Sequence, residues 1–354
     1  MAICRTISCV VALAAFGGVV AGCSQSAGTA ASPAGPATVT LLTHDSFAVD
    51  KTRLAAFEKQ HNIKVQIQAA GDAGQLVSSA ILAAGAPNGD VLFGVDNSLA
   101  PKAVAAHVFA PFKVSNLSQL AVQSTYSGML TPIDYGDVCA VYDKQWFVSH
   151  NAVPPSSLTD LAQPLYKSLL VVEDPALSSP GTAFLDSTIN KYGTDWQSYW
   201  TELKTNGVKV ASSWTQAYDG DFTAGGGKGT RPIVVSYGTD AAADIVFAAN
   251  PKPKSPRVGI MSDGCYRQVE FAGVLAGAAH PAAAKQVVEW MTSQAFQADI
   301  PNQMFMYPAL TGVELPPVFA KWGRPIASAV ELPQSQVAAN QTTWLSTWGT
   351  VMGK

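Results

Sequence analysis

From residue 38 onward, apolar and polar positions alternate in an order that predicts strands and helices in turn. Val39, Leu41 and Leu42 form a short apolar run ending in the polar stretch Thr43-His44-Asp45-Ser46-Phe47, as a buried strand entering a loop does. Asp50 stands at an N-cap position, and Leu54 and Phe57 share one face of the helix it predicts through about Gln60. Ile63 to Gln68 alternates apolar with polar, as a half-buried strand should. Gln75 to Ala84 reads as a helix and Asp90 to Val95 as a buried strand. Parallel neighbours need a long crossover, so this β-α-β-α-β order predicts an α/β fold with a mostly parallel sheet flanked by helices. Further strands are predicted at Val138 to Tyr142, Ser168 to Val172, Pro232 to Tyr237 and Cys265 to Phe271. Helices are predicted from about Gly181, over Ala282 to Phe296 behind Pro281, and from Ser335 onward, where Trp344 and Trp348 share a face. No internal repeat is present.

The first residues follow another pattern. Arg5 precedes an apolar run from Ile7 to Val20, which ends in Ala21-Gly22-Cys23. A short apolar run behind a basic start, ending in small residues, is a secretory signal rather than a membrane span. With Cys at the cleavage point, residues 1–22 resemble a bacterial lipoprotein signal, in which the Cys thiol is acylated (Cys23 here) and becomes the new N-terminus. Val20 departs from the Leu commonest there, and an ordinary cleaved signal with an incidental Cys is the alternative. Residues 24–37 are almost all Ser, Ala, Gly, Pro and Thr, which reads, with Cys23, as a flexible tether over 23–37.

Hydrophobic residues make up 48% of the 354 and charged residues 13%, so the chain after the tether has core material enough for two lobes. A formal net charge of −3 argues against nucleic acid, which needs a basic surface. No second apolar run is long enough to cross a bilayer, so membrane attachment is expected through the lipid alone. Of five cysteines, Cys139 and Cys265 remain after Cys4 and Cys9 leave with the signal and Cys23 is acylated. An exported chain permits disulfides, and no spacing suggests zinc.

Open α/β sheets bind ligands beyond the carboxyl ends of their strands. Those ends carry Asp45, Ser46, Asp72, Ser178, Ser179, Tyr237 and Asp240. Trp214, Tyr218 and Tyr237 add aromatic faces near strand ends, suited to stacking on a flat heterocycle or attracting a cation; packing in the core is the competing role for such rings. There is no Gly-x-Ser-x-Gly, no HExxH and no dinucleotide fingerprint. Gly225 to Thr230 fails the phosphate-loop pattern, because Gly229 follows Lys228, and reads as a turn before the strand at Ile233.

Asp45-Ser46-Phe47, Trp214 with Ala217-Tyr218, and Ser236-Tyr237, in this order, resemble the bacterial thiamine-binding proteins that serve ABC transporters. The resemblance runs from about Val39 to Met352 and includes Asp134-Tyr135-Gly136, Gln268-Val269-Glu270 and Met306-Tyr307-Pro308. It implies a two-lobed type II periplasmic-binding-protein fold, with one lobe over 38–138 and 262–310, the other over 139–261, and a helical segment over 311–354. Ligand contacts would fall on Asp72, Ala73, Ser178, Ser179, Trp214, Tyr237, Gly238, Thr239 and Asp240, with Asp45 and Ser46 on a loop facing the cleft. Trp214 and Tyr237 would stack on the ligand rings, and Asp240, Asp72 or Asp45 would offset the thiazolium charge. Free N–H groups near Ser178 and Ser179 would suit a hydroxyl or phosphate.

The resemblance further implies a monomeric, non-enzymatic, extracytoplasmic lipoprotein with no cofactor or metal, delivering thiamine or its phosphates to a permease. A receptor for another small cationic or heterocyclic solute, polyamine-like, is an alternative. Cys139 and Cys265 fall on hinge strands that neighbour each other in this fold, which implies a disulfide. The contrary reading is a thiaminase-like enzyme with Cys139 as nucleophile. This chain departs from the family pattern at His44, where Tyr is frequent, at Ala243, where an aromatic is expected, and at Phe305, which replaces Trp. The loop from Asp219 to Arg231 is also longer than usual.

Overall fold

The computed structural model describes residues 35–354; the signal over 1–22, the lipidation site Cys23 and the tether up to residue 34 lie outside the described residues. The strands are β1 (Ala37–Thr43), β2 (Ile63–Ala69), β3 (Val91–Asp96), β4 (Thr131–Asp143), β5 (Leu170–Glu173), β6 (Lys209–Ala211), β7 (Ile233–Tyr237), β8 (Val258–Val274) and β9 (Tyr307–Pro308). They form one sheet in the order β2-β1-β3-β8-β4-β7-β5-β6, with β9 on β4. Both arms are parallel: β2, β1 and β3 on one side, and β6, β5 and β7 on the other. The centre is antiparallel, where β8 pairs with β3 and β4, and β4 pairs with β7. Each arm is a small doubly wound α/β layer, and two long strands join them.

Those two strands exceed what their apolar patterns predict. β4 has 13 residues and β8 has 17. Asp134 and Asp137, both fully buried, interrupt the apolar run of β4, and Ser262-Asp263-Gly264 interrupts that of β8. Asp137 is held inside by an ion pair with Arg267, so its charge is answered across the ladder rather than by water. At Val138/Ala140 the β4–β8 register shifts, from Val138 opposite Tyr266 to Ala140 opposite Met261. A disulfide between Cys139 and Cys265, with Cα atoms 4.4 Å apart, joins the strands at this break.

Helices cover both faces of each arm. In β1, Val39 and Leu41 join the core on one face and Leu42 joins that on the other, which is why the run is apolar rather than alternating. The helices that matter most are α1 (Lys51–His61), α2 (Ala73–Leu82), α3 (Ser179–Tyr192), α4 (Trp196–Thr205), α5 (Asp240–Phe247), α6 (Pro281–Met291) and α7 (Gln334–Met352). Asp50 caps α1 by accepting from the Arg53 N–H at 2.8 Å. The helix expected to run to Phe296 stops at Met291, and Ser293 caps a separate short helix, Gln294–Gln297. The hydroxyls of Thr292 and Ser293 donate to the carbonyls of Glu289 and Trp290, and this competition with the helix ladder ends α6.

Residues 330–352 complete the core that also holds Phe184, Trp200 and Tyr266. Trp348 meets Trp200 edge-on, with ring centroids 5.5 Å apart, and Lys204 donates to the Val351 carbonyl at 2.9 Å. Nearby, Ser98 after β3 donates to Asp186 of α3 at 2.6 Å, and Asp96 accepts from the Ser98 and Leu99 N–H groups. Burial pushes the Asp96 carboxyl up to about 8 and that of Asp186 up to about 7.

Two predictions follow from this packing. Trp348→Ala leaves a cavity beside Trp200 and lowers unfolding free energy by about 3–5 kcal/mol in urea titrations; an unchanged midpoint would mean that α7 is not part of the core. Because Asp96 binds its proton far more tightly folded than unfolded, its contribution is complete below about pH 4 and is lost as pH rises toward 8. Asp96→Asn therefore gains stability relative to wild type between pH 5 and pH 8, by about 1 kcal/mol per pH unit. A pH-independent difference would refute the buried, protonated acid.

Candidate functional site

A cleft opens where the carboxyl ends of the two parallel arms meet. One wall carries His44 and Ser46 from the loop after β1, and Asp72 from the turn after β2. The opposite wall carries Ser179 and Pro180 at the start of α3, Trp214 after β6 and Tyr237 at the end of β7. Glu270 of β8, Met304 and Met306 complete the lining, and the space is about 490 Å³ including the open mouth. That is the size of a small-molecule site.

Asp72 joins the walls. Its Oδ1 accepts the Ala73 N–H at 2.7 Å and caps α2, while the Gln75 side chain returns to the Asp72 N–H in a capping box. Its Oδ2 accepts the Trp214 N–H at 2.9 Å from the other wall. Beside it the walls touch: Gln75 N–H donates to the Leu177 carbonyl at 3.3 Å. A Cβ at Gly74 would lie 2.6 Å from the Leu177 carbonyl carbon, so this approach requires glycine.

Trp214 is fixed on three sides. Its indole N–H donates to Ser236 Oγ at 2.9 Å, its backbone is held by Asp72, and its ring stacks on Tyr218 at 5.1 Å and 16°. One indole face is therefore occupied, and the other borders the cleft. The Tyr237 hydroxyl donates to Gln268 Oε1 at 2.9 Å, and burial holds its pKa well above the usual value.

Of the residues expected at the site, Ser46, Asp72, Ser179, Trp214 and Tyr237 line the cleft. Asp45, Ala73, Ser178, Gly238, Thr239 and Asp240 do not. Asp45 bridges two loops by accepting the Gly71 N–H at 3.1 Å. Ser178 is the N-cap residue of α3 and is fully buried, with no hydrogen-bond partner for its hydroxyl. Asp240 lies beneath Tyr237, accepting its N–H at 3.3 Å, and burial pushes its carboxyl up to about 7. It is therefore a poor counter-charge for a cation in the cleft. Phe305 turns away to pack on Phe247 and Phe319, leaving its neighbours Met304 and Met306 on the cleft.

Glu270 was missed as a charge, and His44 was noted only as a departure. The signal was a carboxylate in the otherwise apolar run Val269 to Leu275. His44 Nε2 lies 3.4 Å from Glu270 Oε1, in ion-pair range without hydrogen-bond geometry. Burial by itself lowers the His44 pKa, but Glu270, with Asp72 and Asp45, carries it above the ordinary histidine value. Burial likewise raises Glu270, and His44 and Asp134 more than offset that. Asp134 is pushed well above the carboxylate range by burial and by Glu270. Neither Asp134 oxygen has a donor within reach, so a proton on Asp134 directed at Glu270 accounts for both groups.

The model of the bacterial extracellular solute-binding proteins matches residues 86–322. The chain belongs to this family. The solute-binding protein is similar to the thiamine-binding periplasmic protein of Salmonella typhimurium, at 31% identity over 314 residues, covering 88% of this chain and 92% of that one. The protein of the same name in Brucella suis is 29% identical over 317 residues, covering 88% and 91%. Among solved structures, a periplasmic thiamin-binding protein superposes with a TM-score of 0.80 at 29% identity, covering 90% of this chain and 97% of that one. A ferric-binding protein from Campylobacter jejuni superposes at 0.70 with 17% identity, covering 88% and 99%, a likeness of fold alone. These neighbours establish the two-lobed type II binding-protein fold and a binding rather than enzymatic role. The thiaminase-like reading fails for a local reason too: Cys139 is disulfide-bonded, fully buried and absent from the cleft wall. Among the described residues, no helix is long and apolar enough to cross a membrane.

Removing the Asp72 carboxylate tests the link between the walls. Asp72→Ala strips one helix cap and leaves the Trp214 N–H without its acceptor, which costs about 2 kcal/mol of unfolding free energy. Asp72→Asn retains an acceptor oxygen and loses less. Equal midpoints for all three proteins in chemical denaturation would remove Asp72 from this role.

Proposed function

We propose that this solute-binding protein captures thiamine and hands it to an ABC importer, held at the outer face of the cell membrane by a lipid on Cys23 and acting as a monomer. The observation that carries the reading is the free indole face of Trp214 in a small cleft that also holds two carboxylates, Asp72 and Glu270. A flat aminopyrimidine stacks on such a face, and the fixed thiazolium charge is met by a carboxylate that water screens poorly. The names of the related proteins support the same ligand. Ser179, the first residue of α3, lies on the cleft wall opposite Asp72, and its hydroxyl and backbone N–H suit the hydroxyl of thiamine or a phosphate on it. The lobes would be 38–138 with 262–310 and 139–261, with 311–354 packed on them; the separate cores on either side of the β4–β8 break support this division.

The test is calorimetric titration of thiamine into the chain from Cys23 onward, carrying Cys23→Ser to leave it unacylated, after unfolding and refolding to strip carried ligand. One-to-one binding is expected, with Trp214→Ala weakening it 10- to roughly 100-fold through lost stacking. Saturable heat with a polyamine but none with thiamine or its phosphates would overturn the proposal.

A further inference from the structure

The cleft lining holds a titratable imidazole within ion-pair range of a carboxylate. His44 and Glu270 both line the cleft, with side-chain exposures of 13% and 6%. The imidazole has a built seat. Gly94 adopts φ +101° at a register shift in β3, and a Cβ there would fall 2.4 Å from His44 Cδ2. Phe93 packs against the ring at 5.5 Å. The seat fixes His44 beside Glu270.

We infer that His44 makes cation capture by this protein depend on pH, because its imidazolium and the positively charged ligand compete for the Glu270 carboxylate. The inference rests on the thiamine reading and adds to it the residue that regulates the site. Around His44 stand Asp45 on its own loop, Asp72 from the turn before α2 and Glu270 from β8. Around Glu270 stand Asp134 from β4, Tyr237 from β7 and Asp96 from β3. Burial and Glu270 keep the proton on Asp134, Asp96 keeps its own until pH approaches 8 in wild type and variant alike, and Tyr237 is a neutral phenol. With His44 charged, the group His44–Glu270–Asp134 sums to zero. With His44 neutral it carries one negative charge, facing the ligand in a site of low dielectric. Binding a fixed cation therefore expels the His44 proton. By linkage, affinity rises with pH up to the pKa of His44 in the free protein and levels off above it, with a limiting slope of about one decade per pH unit.

The experiment is calorimetric titration of thiamine at steps from pH 5.5 to 8.5 into the unacylated chain and its His44→Gln variant. Any titration of thiamine itself is common to both proteins and cancels in the ratio of their Kd values. The variant is expected to bind about tenfold more tightly than wild type at pH 5.5, with the two within about twofold at pH 8.5. A ratio independent of pH overturns the inference. A second arm needs no ligand. The imidazole NMR resonance that disappears in His44→Gln should titrate above the ordinary histidine value, and its pKa should fall in Glu270→Gln. An unshifted resonance overturns the pairing whether or not thiamine binds. A shifted resonance with no thiamine heat at any pH instead sinks the thiamine reading and leaves the pair standing.

Discussion

The antiparallel pairing of β4 with β8 is the constraint on which the rest of the molecule depends. Each parallel arm is a sheet of three strands with its own helices and core, and only these two strands run from one arm into the other. Their ladder sets how the arms face each other, and so where the carboxyl ends of β1, β2, β5, β6 and β7 converge. The disulfide lies where that ladder loses register, the point at which backbone hydrogen bonds contribute least. Such a cross-link limits the slippage a weakened ladder would otherwise allow.

The cleft that results is organised by carboxylates in different environments. Asp72 accepts backbone N–H groups from opposite walls and so ties them together. At Asp240 and Asp96 burial outweighs the hydrogen bonds and pushes the carboxyls up to about 7 and about 8. Glu270 stays ionised despite burial because His44 and Asp134 stabilise its charge. The acidic residues around the cleft thus differ in how tightly they bind a proton, and the difference comes from depth and from donors. A cation entering the cleft meets Asp72 and Glu270, not the nearest acidic residue by sequence.

Much of the fold was legible in the chain. Buried strands in an α/β protein are short and apolar, which marked β1, β3, β5 and β7, and the cap at Asp50 and the proline at the first helical position, Pro281, marked α1 and α6. The stacking candidate Trp214 and the wall residues Ser46, Asp72, Ser179 and Tyr237 could be named, because loops after such strands converge. The full length of β4 and β8 was not legible. Asp134 and Asp137 look like strand breakers until Glu270 and Arg267 are brought alongside from more than a hundred positions away, and Ser262-Asp263-Gly264 splits the apolar pattern of β8. The early stop of α6 was hidden for a related reason, since hydroxyl back-bonding by Thr292 and Ser293 leaves the apolar period intact.

The sequence by itself determined where the short apolar strands and the main amphipathic helices lie, which strand ends carry polar residues, and that aromatic rings and several carboxylates stand near them. Local periodicity and capping are encoded over a few residues, so they survive without knowledge of the fold. Only the tertiary structure decided that Asp45 and Asp240 stand aside while Glu270 reaches the cleft, that one face of Trp214 is taken by Tyr218, and that His44 is held against a carboxylate on β8. Charge, exposure and the free face of a ring depend on what lies across the sheet, and long-range pairing sets those neighbours.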